Sequence, residues 1–250
     1  ARTSSWIEIE SFQQVLNNFR ASYFAGALLI DRESLRDELE ELFSRPRWDS
    51  HLFLQTMNRY RATPEMFLYR LTELIPQLFG LESLFFVRFH RSSQAPDVAL
   101  TKVFNLSAVQ VPHGVGLKEH YCRRWPGLRL VDPRSAPADG PTAIAVQRSR
   151  FRSAEVEFFV IALSRTLALD SSSRSSVSIG FLMDQDFRRR VRFWNDPAIE
   201  RLDVDLTCER CSANDRECAE RAAPPTTFLL QLDRARKERA LQDLATQRVG

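Results

Sequence analysis

A chain of 250 residues has room for one large domain or two small ones with proper cores. Hydrophobic residues make up 44% and charged residues 27%, which excludes a disordered, collagen-like or membrane-embedded chain. A formal net charge of +3 is too small to argue for nucleic acid by itself.

The first eighty residues read as helices. Phe12, Val15, Leu16, Phe19, Tyr23, Ala27 and Leu28 recur at helical spacing and predict an amphipathic helix over 11–30. Leu35, Leu39 and Leu42 form an apolar stripe over 35–43, with Ser34 as the expected cap. A third helix is expected over 50–58. Thr63, Pro64 and Glu65 together form a strong start signal for a fourth, over 64–74. The last two have the proportions of a helix-turn-helix, although few basic residues sit where the second helix would meet DNA.

After Gly80 the texture changes. Residues 83–89, 99–104, 142–147, 155–162 and 176–182 are rich in β-branched and aromatic residues and partly alternate, as strands do. Short helices are expected over 117–124 and 184–190, and loops over 133–141 and 168–176. A final charged helix over 229–246 reads as a docking or dimerisation element. The fold class is therefore α+β: a helical unit (1–80), a mainly antiparallel sheet domain of sensor type (81–225) and a C-terminal helix (226–250).

The cysteines carry the chemistry. Three stand in Cys208-Glu-Arg-Cys211-Ser-Ala-Asn-Asp-Arg-Glu-Cys218, and the fourth, Cys122, lies far upstream. A C-x-x-C turn brings two sulfurs to one side, a third cysteine can close over the same centre, and Cys122 completes a four-sulfur shell. Sulfur-only ligation means an iron–sulfur cluster or zinc. Disulfides and unrelated buried thiols are the other readings, but nothing resembles a secretory signal, and a cytoplasmic location is expected. His120, two residues before Cys122, is a lesser candidate ligand.

Only Lys102, Lys118 and Lys237 are lysine, so nearly all the positive charge is arginine. Arginine forks suit phosphate and carboxylate oxygens, and a GC-rich gene would give the same bias. Arg123 and Arg124, beside Cys122, and Arg188 and Arg190, after an expected core strand, are the candidate anion-binding residues. Enzyme signatures are missing: the sequence has no H-E-x-x-H, nucleophile elbow, P-loop or dinucleotide fingerprint. No enzymatic activity is expected of this segment.

Two stretches carry a resemblance. Residues 19–29 followed by 63–71 look like the end of an ImmA/IrrE-type peptidase-like domain and its adjoining helices. Cys208-Glu-Arg-Cys211 through Cys218-Ala-Glu-Arg-Ala-Ala-Pro-Pro225, with Cys122 before it, resembles the C-terminal domain of short-chain fatty acyl-CoA regulators, the PrpR/RamB-like bacterial transcription factors. The gap between Cys211 and Cys218 is wider than that family's pattern. The resemblance implies a GAF-like sensor domain in a homodimeric transcription regulator. It implies an iron–sulfur cluster on Cys122, Cys208, Cys211 and Cys218 and a small-molecule effector, a short-chain acyl-CoA. DNA would be contacted only by a helix-turn-helix missing from this chain, which begins at Ala1 as a piece of a longer protein would. No membrane contact is expected. The alternative is a zinc-stapled interaction module with no small-molecule ligand.

Overall fold

The computed structural model describes residues 11–92, 98–111, 119–132, 142–167 and 170–247. Four helices come first: α1 (Phe12–Leu29), α2 (Arg32–Ser44), α3 (Ser50–Arg59) and α4 (Pro64–Phe79). Each begins on a side-chain cap that accepts a backbone N–H of the first turn: Ser11, Asp31, Asp49 and Thr63. The cap of α2 is Asp31 and not Ser34, because the Asp31 carboxylate takes the Ser34 N–H at 2.8 Å and starts the helix a turn earlier. Helix α4 runs past Pro76 and stops at Gly80, whose φ of 70° is the left-handed conformation that glycine adopts without cost.

The strands β1 (Leu84–Arg91), β2 (Val98–Asn105), β3 (Ala143–Phe151), β4 (Val156–Leu167), β5 (Asp170–Leu182) and β6 (Glu200–Val204) form one sheet in the order β2-β1-β5-β4-β3-β6. Every pairing is antiparallel except β3 with β6. The expected loop at 168–176 is mostly strand: 170–176 belongs to β5, and 174–176 pair with both β1 and β4. Its serines gave no hydrophobic alternation to read. Strand β6 was not expected at all, since Glu200, Arg201 and Asp203 make it look like surface. The loop expected at 133–141 lies outside the described residues.

Both faces of the sheet are covered, which explains the nearly unbroken apolar run of β1. Leu84 and Phe86 face the helices, in a core shared with Leu39, Phe67, Leu71, Ile161 and Ile179. Phe85, Val87 and Phe89 point to the other face, where they meet Cys122, Trp125, Phe151 and Phe158. The helical unit and the sheet thus share one core across the boundary at residue 80. Helix α4 belongs to that core: of its 16 residues only Gln77 is exposed, so it has no free face to lay in a DNA groove.

On the second face lies α5 (Pro126–Val131), and α6 (Gln185–Arg190) follows β5. The helix expected at 117–124 forms further on. Pro126 occupies the first helical position of α5, while Tyr121 is taken up in a bridge with Thr207. Helix α7 (Thr226–Gln247) ends the described chain. Among the described residues no helix is long and apolar enough to cross a membrane.

Candidate thiol centre

The fold carries Cys122 to the other three cysteines through a small backbone latch. Tyr121 and Thr207 pair in antiparallel fashion, the Cys122 N–H donates to the Leu206 carbonyl at 3.3 Å, and the Cys208 N–H donates to the His120 carbonyl at 2.8 Å. Two features fix this latch on the sheet. The buried Trp125 indole donates to the Asp205 carbonyl at 2.8 Å. Gly127 lets α5 settle onto β5: a Cβ there would lie 2.6 Å from Ser178 Oγ, and Ser176 Oγ donates to the Gly127 carbonyl at 2.7 Å. Strand β6 sets the other side, because its parallel register on β3 delivers residues 205–208 to the latch.

All four thiols are free and buried. They are within electrostatic range of one another, since charge on Cys208 or Cys211 pushes the Cys122 and Cys218 thiols up. Burial is the larger cause: it pushes Cys122 up to about 12 and raises Cys211 and Cys218 as well. Backbone N–H groups already serve as donors to three of the sulfurs. Ala213 N–H lies 3.4 Å from Cys211 Sγ and Ala222 N–H 3.3 Å from Cys208 Sγ, while donors at Arg124 and Asp205 favour the Cys122 thiolate. Such N–H···S contacts stabilise sulfur that carries negative charge, and a bound cation is what keeps buried thiols in that form. The donor set therefore suits a thiophilic metal. Among the described residues, however, no three His, Cys, Asp or Glu side chains are grouped so as to hold a single metal ion. His120 pairs with the Glu209 carboxylate at 2.7 Å, and the same carboxylate accepts the His120 backbone N–H.

Arginines hold the cysteine segment, a role that spacing gave no means to find. Arg221, nearly buried, donates to the carbonyls of Cys208 at 3.0 Å and Ala213 at 2.7 Å. Arg152 spans Asp203 and Glu217. Arg124 is spent in the same way, on Glu220 at 2.9 Å and on the Asp203 and Glu217 carbonyls. Arg123 beside it makes no ion pair or side-chain hydrogen bond among the described residues. Both line an open cavity of about 820 Å³, together with Arg91, Arg129 and Arg221 and, on the acidic side, Glu200 and Glu220.

The other arginine pair lies elsewhere. Arg188 stacks over Trp194 and Arg190 over Phe79, on the helix-covered face. Arg190 lines a separate cavity of about 440 Å³ with Arg189 and Arg192. The structure does not bring the two pairs to one rim. The void between helices and sheet, among Leu39, Phe53, Ile161 and Phe181, is about 10 Å³, space for about one water and too small for an acyl chain. No family model, curated protein or solved structure matches this chain.

Proposed function

We propose that Cys122, Cys208, Cys211 and Cys218 hold one metal centre, an iron–sulfur cluster, in the regulatory region of a bacterial transcription regulator. The observation that carries this reading is the latch at Tyr121 and Thr207. It joins segments more than eighty residues apart and buries the four thiols together, with N–H donors already on three of them. Sulfur-only ligation suits an iron–sulfur cluster or zinc alike, and the cluster is put first on the resemblance of the cysteine segment to the acyl-CoA regulators.

When bound, a cluster supplies a redox state that the protein can report. This chain's part is to exclude water around the sulfurs and to tie the centre to its surroundings. Arg221 and Arg124 grip the carbonyls of the cysteine segment and line the 820 Å³ cavity, so an anionic effector there and the thiol centre would share the same side chains. Arg91 and Arg123, both without an ion pair among the described residues, are the free groups for its phosphates or carboxylates. Such a coupling shifts a conformational equilibrium only if effector or centre binds the two states differently.

The test is a visible absorption spectrum with iron, sulfide and zinc analysis on anaerobically purified protein. A brown protein with iron and acid-labile sulfide is expected. Colourless protein with one equivalent of zinc would make the structural staple the correct reading, and protein with neither metal would remove both.

A further inference from the structure

On the helical face, away from the cysteines, α1 and α4 leave a cavity of about 430 Å³ between them, within the usual range of about 300–1,000 Å³ for small-molecule sites. Its wall is unusual for a gap between helices. Arg70 lines it with only 4% of its surface exposed, and its Nη1 donates to Glu73 at 2.9 Å. Its Nε is buried with no hydrogen-bond partner, and its guanidinium lies over the Tyr23 ring, 5.2 Å from the centroid. The Glu73 side chain is itself only 10% exposed. A second pair completes the wall, Lys102 and Glu65 at 3.6 Å, with the Lys102 ammonium 4.1 Å from the Tyr69 ring centroid; Glu65 also pairs with Arg88, outside the lining, at 3.4 Å. Phe19, Met66 and Tyr69 supply the large apolar side chains of the lining, beside the polar Asn18, Ser22 and Thr63.

Holding Arg70 and Glu73 out of water costs several kcal/mol each, and apolar side chains would fill a helix interface at no such cost. An unpaired Nε on a buried guanidinium adds to that cost. The cost is recovered if a ligand enters. The wall carries two cations and two anions, so a simple anion would face Glu65 and Glu73, and a simple cation would face Arg70 and Lys102. A molecule with both charges answers all four.

We propose that this cavity binds a small zwitterion with an apolar substituent, the chemistry of an α-amino acid with a branched or aromatic side chain. Its carboxylate accepts from Arg70 and Lys102, its ammonium donates to Glu73 and Glu65, and its side chain lies against Phe19, Met66 and Tyr69. The site is independent of the thiol centre, so Cys208→Ser leaves it intact.

Calorimetry with L-leucine and L-phenylalanine, alongside the half-analogues 4-methylpentanoate and 3-methylbutylamine, tests this. Saturable one-to-one binding of at least one amino acid is expected, with each half-analogue about tenfold weaker or worse for want of one charge-assisted pairing. Arg70→Met should abolish binding. Because that side chain is buried, Ala25→Phe serves as the second variant: Ala25 lines the cavity from α1, a helix with no buried residue. It should fill the space and abolish binding with an unchanged melting temperature. Absence of saturable binding by either amino acid at millimolar concentration, equal binding of the half-analogues, or undiminished binding by Ala25→Phe would overturn the assignment.

Discussion

Asp196 accepts the Trp48 N–H at 2.9 Å with one carboxylate oxygen and the Ala198 N–H at 3.0 Å with the other. It thereby ties the α2–α3 connection to the chain that follows α6. Those donors hold its carboxyl below the ordinary range. Asp196→Ala strands both N–H groups and should cost about 3 kcal/mol, or roughly 6–12 °C in melting temperature for a chain of this size. The sign of the pH effect follows from the lowered value. The contribution is present above the unfolded carboxylate value near pH 3.8 and is lost as pH falls through the folded one. The gap between wild type and variant should therefore close in acid. A gap that persists unchanged at pH 2 would mean that the aspartate acts through packing alone. Cys122 makes the opposite case, a thiol pushed up to about 12 by burial, so that metal can enter only by displacing protons. Metal retention should rise with pH across the neutral range. Cys122→Ser should lose most of the bound metal, and stoichiometric metal in that variant would show that the upstream cysteine is no ligand.

At the scale of elements, the cysteine segment depends on groups outside itself. Residues 208–222 contain no strand, and α7 begins just beyond them. Arg124 and the latch hold their backbone from outside, Arg152 holds the Glu217 and Ser212 side chains, and Arg221 braces the segment from within. A bound metal, which would join Cys122 to the three sulfurs of the segment, should add to the order these contacts supply. Chelation is expected to open residues 209–222 to trypsin within minutes while the sheet stays protected. Unchanged protection after complete metal removal would assign the order to the arginines. The same contrast explains what the sequence disclosed. Helices with apolar stripes and explicit caps, such as α3 and α4, were legible within a few residues, and so were the central strands β1 and β4. Strand β6 was not, because a charged edge strand shows no alternation, and the serine half of β5 was hidden for the same reason. At the site, the spacing of Cys208, Cys211 and Cys218 marked the segment. That Arg124 would be consumed by Glu220 and two carbonyls was invisible, since those partners are set by tertiary folding.

At the scale of the whole molecule, the four leading helices do unequal work. Helix α4 contributes Phe67, Leu68, Leu71, Leu74, Ile75 and Phe79 to the core shared with the sheet, whereas α1 contributes none and leaves Phe12, Phe24, Leu28 and Leu29 more than half exposed. Ile30, directly after α1, is fully buried and belongs to the core that the helices share with the sheet. A chain begun at Ile30 should unfold cooperatively with a melting temperature within a few degrees of the full chain. It should be more soluble for losing an apolar surface, and it should keep the thiol centre. A chain begun at Leu81 would bare Phe86, Phe159, Ile161 and Phe181, all of which pack into the helix-side core. At about 1.5–3 kcal/mol for each large side chain returned to water, that loss exceeds the whole stability of an ordinary domain once the rest of the face is added. Purifying both truncations and recording thermal unfolding by near-ultraviolet circular dichroism separates the cases. A folded, metal-retaining protein beginning at Leu81 would show that the sheet and the cysteine segment stand alone and that the helices are an appended unit.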